Sequence, residues 1–480
     1  MSKGKPRVVI LGGGFGGMYA ALEFERALAR GADLDVTLVN RDNFFLFTPM
    51  LHEVAASDLD ITNIVSPIRK LLRRVTFFHG DIEAIDLVHK RVGLSHGHEQ
   101  HCHSLPYDHL VLALGSTTNF FNIPGLAEQA LTMKSLSDAI ALRNHLIANL
   151  EEADFECGAS LRAPLLNFVV AGGGFAGVET IAAMNDFLRE AVRFFPHIRE
   201  DMLRIILVSA GKVILPELGE ELGTYAQRKL REQKVEIHAS CKVTAVTDHD
   251  VTLSDGTTVP TNTLVWTAGT RPHALLDTLP CLKMKGRVLV NEHLQIPEWP
   301  GLWAFGDCAL VPDRKTGAFH PPTAQHALRE GRAAAQNILA TVRGGPMKPF
   351  LYSTLGLLAP IGKRTGVANI LGQNFSGFIA WWLWRTIYLM KLPRFEKKLH
   401  VALNWTLDVL FSKDLAHFRT KRSRIPHATA NRQKSTESFT PLISNRHPDF
   451  GLPATEDEAS LRSPRYGLGP DRNSAIERQP

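Results

Sequence analysis

Two stretches of this chain repeat one glycine-rich pattern: VVILGGGFGGMY from Val8 to Tyr19, and FVVAGGGFAGVE from Phe168 to Glu179. Gly12, Gly14 and Gly17 in the first, and Gly172, Gly174 and Gly177 in the second, stand in GxGxxG spacing. There the first glycine permits a tight turn. The second lets backbone approach a pyrophosphate, and the third lets a helix pack close to a strand. A helix opening at such a turn aims N–H groups and the positive end of its dipole at phosphates. One GxGxxG is weak evidence; two, each between a strand and a helix, are strong. The chemistry implied is the binding of two dinucleotides. The five cysteines, Cys102, Cys157, Cys241, Cys281 and Cys308, lie far apart and form no CxxC. That spacing excludes a disulfide ladder and fits a reducing compartment.

The elements that must hold these turns are legible around them. RVVIL and NFVVA are short β-branched runs of the kind buried on both faces of a parallel sheet. Helical spacing follows each turn, and then a further strand, DVTLVN or LRIILVS. Each copy later reaches a hairpin-like stretch ending in an apolar strand and a glycine, at Gly115 and Gly269. Asp255-Gly256 is a two-residue turn signal in the second. The expected fold is α/β, with two Rossmann-like dinucleotide-binding domains, one nested in the other, and a C-terminal helical segment. A chain of 480 residues is long enough for two or three domains. Its 44% hydrophobic and 21% charged residues place it among globular proteins, and the net charge of +6 decides no partner alone. No nucleic-acid partner is expected. The chain enters a strand almost at once, so no signal peptide is expected. The apolar run FIAWWLW is too short to span a bilayer.

The order GGGFGG, YDHLVLALGS, GGGFAGVE, WTAGT, AFGDCA and PPTAQHALREG resembles the two-dinucleotide-domain flavoprotein reductases. NFFLFTPMLHEVA and the tryptophan-rich C-terminal part are similar to the type II NADH dehydrogenases, the non-pumping NADH:quinone oxidoreductases of respiratory chains. The resemblance implies FAD at the first turn and NADH, or NADPH, at the second, with a membrane quinone as acceptor. It implies an FAD-binding domain in two parts, 1–125 and 296–372, around an NAD(P)H-binding domain at 126–295. Amphipathic membrane-associating helices are expected at 373–420 and a disordered tail at 421–480. It further implies a peripheral protein on the cytoplasmic face of the cell membrane; a homodimer is the other expectation for the apolar C-terminal surface.

Residue by residue, FAD is expected on Gly12, Gly14, Phe15, Gly16, Gly17, Asn40, Arg41, Thr48, Ala113, Gly115, Gly306, Asp307 and Ala324. The nicotinamide nucleotide is expected on Gly172, Gly174, Phe175, Ala176, Gly177, Ser209 and Gly269. Asp307 suits the ribityl hydroxyls; the bland alternative is a helix N-cap. Asn40 stands where the family usually has an acid for ribose hydroxyls, and Ser209 stands where NAD-preferring folds carry one. Lys212 follows closely, so NADPH is expected to be tolerated. Glu179 is implied to sit near the nicotinamide and the flavin ring, or else merely to meet the helix dipole. Gln325 matches the first glutamine of the family's AQxAxQ segment on the quinone side, or is a plain helix N-terminal residue. The second glutamine is replaced by Arg329.

Flavin chemistry needs position and polarity from the protein, so no catalytic triad and no metal are expected. With no cysteine after Cys308, disulfide reductases and sulfide:quinone oxidoreductases are disfavoured. The two Trp-rich segments, with Trp381, Trp382, Trp384, Leu399, Leu403, Trp405 and Val409, suit a helix lying in a membrane interface. Lys397, Lys398 and His400 are the interleaved cations, and Arg385 is expected to snorkel to headgroups. A dimer interface or core helices would use the same residues. HGHEQHCH, with His96, His98, His101, Cys102 and His103, reads as a solvated hairpin tip, with a metal site as the alternative. Two other functions fit the motifs: a soluble reductase of a small redox protein, and a non-enzymatic nicotinamide sensor.

Overall fold

The structure, a computed structural model, describes residues 4–97 and 99–417. The tail expected at 421–480 lies outside them, as does His98. In chain order the elements that matter are β1 (Arg7–Leu11), α1 (Phe15–Ala29), β2 (Asp35–Asn40), α2 (Leu51–Ala55), β3 (Thr76–His79) and β4 (His109–Leu112). Then come β5 (Leu131–Thr132), β6 (Asn167–Ala171), α3 (Phe175–Ala191), β7 (Arg204–Ser209), β8 (Val235–Ala239) and β9 (Thr263–Trp266). Last are β10 (Leu302–Ala304), α4 (Ala324–Val342), α5 (Gly377–Lys391) and α6 (Phe395–Leu410).

Two five-stranded parallel sheets result. Their orders are β10-β4-β1-β2-β3 and β5-β9-β6-β7-β8. They are the same arrangement, with β1 matching β6, β2 matching β7, and the outer strands β10 and β5 matching each other. The outer strand of the first sheet comes last in the chain and that of the second comes first. One domain is therefore inserted into the other. Val8, Ile10 and Leu11 in β1 and all five residues of β6 are buried, as sheets covered on both faces require. Each domain adds a three-stranded antiparallel meander: Asp81–Asp86, Arg91–His96 and His101–Pro106 in one, Val243–Val246, Asp250–Leu253 and Thr258–Pro260 in the other. The two crossings between domains run side by side, with Ser116–Thr118 paired antiparallel to Thr270–Pro272.

The histidine-rich stretch is the hairpin tip of the first meander. There His96 and His103 stack, their Nε2 atoms 2.8 Å apart. Among the described residues no group of three or more His, Cys, Asp or Glu could hold a metal.

After α4 a small antiparallel sheet (Gly356–Pro360, Gly366–Ile370, Gln373–Ser376) leads into α5 and α6. Ala380, Trp384 and Tyr388 repeat every four residues along α5, and Trp384 packs against His52, Tyr388 and Trp405. Leu399 and Trp405, grouped by the sequence, face different ways. Val401 and Trp405 are buried, whereas Leu399, Leu403 and Leu407 form an exposed row. Arg385 is also a correction. Instead of reaching outward, its guanidinium lies between the rings of Trp381 and Trp405, 4.4 and 4.6 Å from their centroids, where two π faces hold the cation. Among the described residues no helix is long and apolar enough to cross a membrane.

Candidate functional site

The first glycine turn sits at the carboxyl end of β1, in the centre of its sheet, where open α/β sheets bind ligands. Its three glycines divide their work. Gly12 has φ +105°, and a Cβ there would lie 2.3 Å from the Ala113 carbonyl oxygen. A Cβ on Gly17 would lie 1.8 Å from the Gly12 carbonyl oxygen, so this glycine lets α1 touch the strand. A Cβ on Gly14 would meet nothing within 4 Å. Gly14 is the N-cap of α1 and no side chain caps the helix, so its first N–H groups face a cradle that a Cβ would fill. That cradle fits a pyrophosphate.

Gly115, Gly306 and Asp307 follow the neighbouring strand ends. Asp307 lies inside a short helical turn whose N-cap is Phe305, so it is not itself the cap. Its Oδ2 accepts from Ser116 Oγ (2.6 Å), which accepts from Lys134 Nζ (2.8 Å). Burial lowers the Lys134 pKa, against the pull of Asp307. Asn40 turns inward: its Oδ1 accepts the Gly13 N–H at 2.7 Å and its Nδ2 donates to the Asp42 carbonyl at 2.8 Å. One N–H of that amide remains for a ribose. Arg41 and Thr48 are exposed, and Thr48 starts the turn leading to α2. Gly16 is buried beneath Phe305, and a Cβ on Gly331 of α4 would lie 2.1 Å from the Gly16 carbonyl oxygen. The structure thus uses Gly16 for the α1–α4 crossing.

The second turn repeats this geometry. Gly172 has φ +135° against Thr267, Gly177 abuts the Gly172 carbonyl, and Gly174 is open. Phe175 and Ala176 form the uncapped first turn of α3. Ser209, 3% exposed, ends β7 directly beneath the turn, and a Cβ on Gly173 would lie 2.2 Å from its hydroxyl. Gly269 follows β9, beside the Phe121 ring. Glu179, on the first turns of α3, points to α2. Its side chain is 13% exposed, and its Oε2 lies 3.7 Å from His52 Nδ1. Burial, with Glu53 nearby, raises the Glu179 pKa well above its ordinary value, and burial lowers that of His52 to about 3. With His52 neutral, the contact is not an ion pair.

The start of α4 carries Ala324, Gln325 and Arg329 together. Gln325 Oε1 accepts from Tyr352 OH at 2.9 Å and its Nε2 donates to the Gly356 carbonyl at 3.2 Å. Arg329 donates to the Gln325 carbonyl (2.7 Å) and lies over the Tyr352 ring, 4.2 Å from its centroid. Behind it, the buried Glu330 accepts the Gly306 N–H at 2.8 Å, and burial lifts its pKa to about 7.

The pattern of the pyridine nucleotide-disulphide oxidoreductases matches residues 6–331, and that of the NDH2 C-terminal domain matches 355–414. A type II NADH:quinone oxidoreductase of Mycobacterium tuberculosis is 32% identical over 461 residues, covering 90% of this chain and 96% of the relative. A demethylphylloquinone reductase of Synechocystis is 33% identical over 412 residues, covering 84% and 96%. The chain belongs to the type II NADH dehydrogenase family. An NDH2 structure from Plasmodium falciparum, solved with NADH, has the same fold: TM-score 0.80 at 20% identity, covering 86% of this chain and all of that one.

Two residues of this type II NADH dehydrogenase escaped the motifs: Tyr352, which donates to Gln325, and Lys134, which donates to Ser116. Ser116 and Glu330 stood within YDHLVLALGS and PPTAQHALREG but were not singled out as partners of Asp307 and Gly306. His52 and Glu53 stood within the quoted stretch NFFLFTPMLHEVA, but nothing local marked them as buried beside Glu179. Cys308 is a passive buried thiol. Its Sγ lies 3.2 Å from the Leu112 carbonyl and 3.1 Å from that of Phe305, and burial pushes its pKa up to about 11.

Proposed function

We propose that the protein oxidises NADH, and tolerates NADPH, at an FAD held by the first turn, and passes the electrons to a membrane quinone without pumping protons. The observation carrying this reading is the duplicated open cradle at Gly14 and Gly174 in a chain that matches NADH:quinone oxidoreductases along nearly their whole length. FAD supplies the ability to take a hydride and release two electrons. The chain's own residues do the rest. The uncapped start of α3 holds the nicotinamide nucleotide. Glu179, whose burial favours the protonated form, can donate a hydrogen bond beside it. Lys134, Ser116 and Asp307 form a polar chain at the ribityl position. On the acceptor side one Nε2 N–H of Gln325 remains for a quinone oxygen, because its other groups are engaged with Tyr352 and Gly356. Arg329 offers a fixed cation to charge developing there.

The division proposed is a flavin domain of 1–125 and 296–372, a nicotinamide domain of 126–295 and surface helices at 373–420. The exposed row of Phe378, Trp382, Phe395, Leu399, Leu403 and Leu407 supports attachment to a membrane surface, proposed as the cytoplasmic face. A second copy of the chain is the other occupant this apolar face would suit. Stopped-flow mixing with NADH and then a quinone tests the function. Rapid bleaching of the flavin and quinone-dependent recovery are expected. Bleaching without recovery by any quinone would overturn the reading. Flotation with lipid vesicles, beside the mass in solution, separates membrane from dimer.

A further inference from the structure

Between α4 and the small sheet, the stretch from Phe350 to Thr354 forms no helix or strand, yet its side chains alternate. Phe350 is buried and Tyr352 half-buried, whereas Leu351 and Ser353 are exposed. The inward side chains dock on the start of α4 and the chain before it. Phe350 meets His320 edge-on, with 5.1 Å between ring centroids, and Tyr352 meets His326 in the same way at 5.0 Å. His326, 1% exposed, is itself fixed, its Nδ1 lying 2.7 Å from Thr323 Oγ1. Burial, with the charges of His320 and Arg329 nearby, lowers its pKa to about 4, so the ring behind Tyr352 is neutral.

From this seat Tyr352 reaches both residues assigned to the acceptor. The Gly356 carbonyl can only accept, so Gln325 turns Nε2 towards it and leaves Oε1 for the Tyr352 hydroxyl, which therefore donates. The amide is held at both ends. The face of the same ring carries the Arg329 guanidinium, 4.2 Å from its centroid. Among the described residues no carboxylate pairs with Arg329, so the ring and the Gln325 backbone carbonyl are what hold it. One side chain, on a segment that no motif marks, thus fixes an amide with its hydroxyl and a cation with its face.

We propose that Tyr352 is the positioning residue of the acceptor site, its hydroxyl aiming the Gln325 amide at a quinone oxygen and its ring aiming Arg329. It acts through those two side chains rather than on the quinone itself. This rests on the quinone-reducing function proposed above. The two parts of Tyr352 should then appear in different kinetic constants. The amide N–H bonds the quinone oxygen before and during the transfer, so losing its aim weakens binding throughout. A cation gains most as charge develops on that oxygen, so losing its aim slows the transfer. A tyrosine that only packed its loop would move neither constant selectively.

The test uses the FAD-loaded protein and a short-chain ubiquinone. Flavin reduction by NADH and reoxidation by the quinone are timed separately, the second over a range of quinone concentrations. Tyr352→Phe keeps the ring under Arg329 and removes the hydroxyl. It should raise the half-saturating quinone concentration about tenfold, the scale of one hydrogen bond, and leave the limiting rate within about twofold. Tyr352→Leu removes both parts and should also lower the limiting rate about tenfold. Reduction by NADH should stay within about twofold in each. The deciding measurement is a double-mutant cycle. Made in Gln325→Ala, Tyr352→Phe should change reoxidation by less than about twofold, because the amide it aims is gone. If the natural protein reduces no quinone, the underlying function fails. If it does, and Tyr352→Phe is silent, slows both halves equally, or costs as much in Gln325→Ala as in the natural protein, the positioning role is refuted.

Discussion

Gly14→Ala and Gly17→Ala are the same chemical change three residues apart, and the structure assigns them opposite consequences. At Gly14 the backbone is extended (φ −72°, ψ −166°), which an L-residue adopts freely, and the new methyl meets nothing within 4 Å. The folding cost is then only an N-cap preference, about 1 kcal/mol or less. The methyl instead occupies the place of a pyrophosphate oxygen. Losing two charge-assisted hydrogen bonds at about 1.5 kcal/mol each costs about 3 kcal/mol, or roughly a hundredfold in Kd. At Gly17 the methyl would sit 1.8 Å from the Gly12 carbonyl oxygen, so α1 must move off the sheet. Overpacking of that kind costs about 1–3 kcal/mol of stability before any ligand is considered. The assay is FAD content on purification, then FAD affinity and urea midpoint in excess FAD. Gly14→Ala should be pale but nearly as stable as the parent once saturated, and Gly17→Ala should be destabilised even then. Gly174→Ala, equally open, should stay fully yellow while its KM for NADH rises by a similar factor. A yellow Gly14→Ala with a weakened NADH site would reverse the assignment of the turns. A harmless Gly17→Ala would refute the packing argument itself.

Arg329→Gln should slow flavin reoxidation by quinone about tenfold, the scale of one charge-assisted hydrogen bond of about 1.5 kcal/mol, and leave reduction by NADH within about twofold; equal effects on both halves would place Arg329 away from the acceptor. Ser209→Glu should extend a carboxylate from beneath Gly173 towards the ribose. A phosphate of charge near −2 about 5 Å away in water-like surroundings is then opposed by about 1.5 kcal/mol, so kcat/KM for NADPH relative to NADH should fall about tenfold; an unchanged ratio would give the choice to another residue. Glu330 has its folded pKa raised to about 7, so between about 4.5 and 7 the folded protein binds more protons than the unfolded one and stability falls as pH rises. Glu330→Gln keeps an acceptor for the Gly306 N–H and removes the titration, so it should raise Tm at pH 8 and change it little at pH 5. A lower Tm at pH 8 would mean that the carboxylate is needed charged.

Both sheets were legible because their signals are local. RVVIL and NFVVA are buried on two faces, and each runs straight into glycines whose spacing dictates turn, cradle and close packing. The nesting was legible as well, because FGDCA comes after both copies. Which way a side chain turns was less so. Asn40 and Ser209 end β2 and β7 as expected, yet Asn40 folds back onto Gly13 and Ser209 lies under Gly173. The character of a strand end is set by sequence, but its last side chain is aimed by the loop above it. α5 and α6 show the same limit. Their apolar content is obvious, but both sides of each helix are apolar. Only the packing of Trp384 and Trp405 against His52 and Glu53 decides that Leu399, Leu403 and Leu407 are left outside.

The half-open cavity lined by Glu53, Glu179 and Asp186 was the least legible part, and the reason is distance along the chain. Glu53 is fixed by Trp405, 352 residues later, and no window of sequence contains both. Each acid alone looks like a solvated surface carboxylate, the ordinary fate of Glu and Asp. One trace was present: Glu179, Ala182, Ala183 and Asp186 place two acids and two small residues on one face of a helix with a large buried apolar side. An acid on the buried face of a helix that opens at a nucleotide turn must be paired, neutral or in contact with water. His52, itself neutral, does not pair Glu179, so burial favours the acid's protonated form, and the adjoining cavity has space for water. In a flavoenzyme, a buried acid whose surroundings favour its proton, beside space for water, is a group that chemistry at the flavin can use.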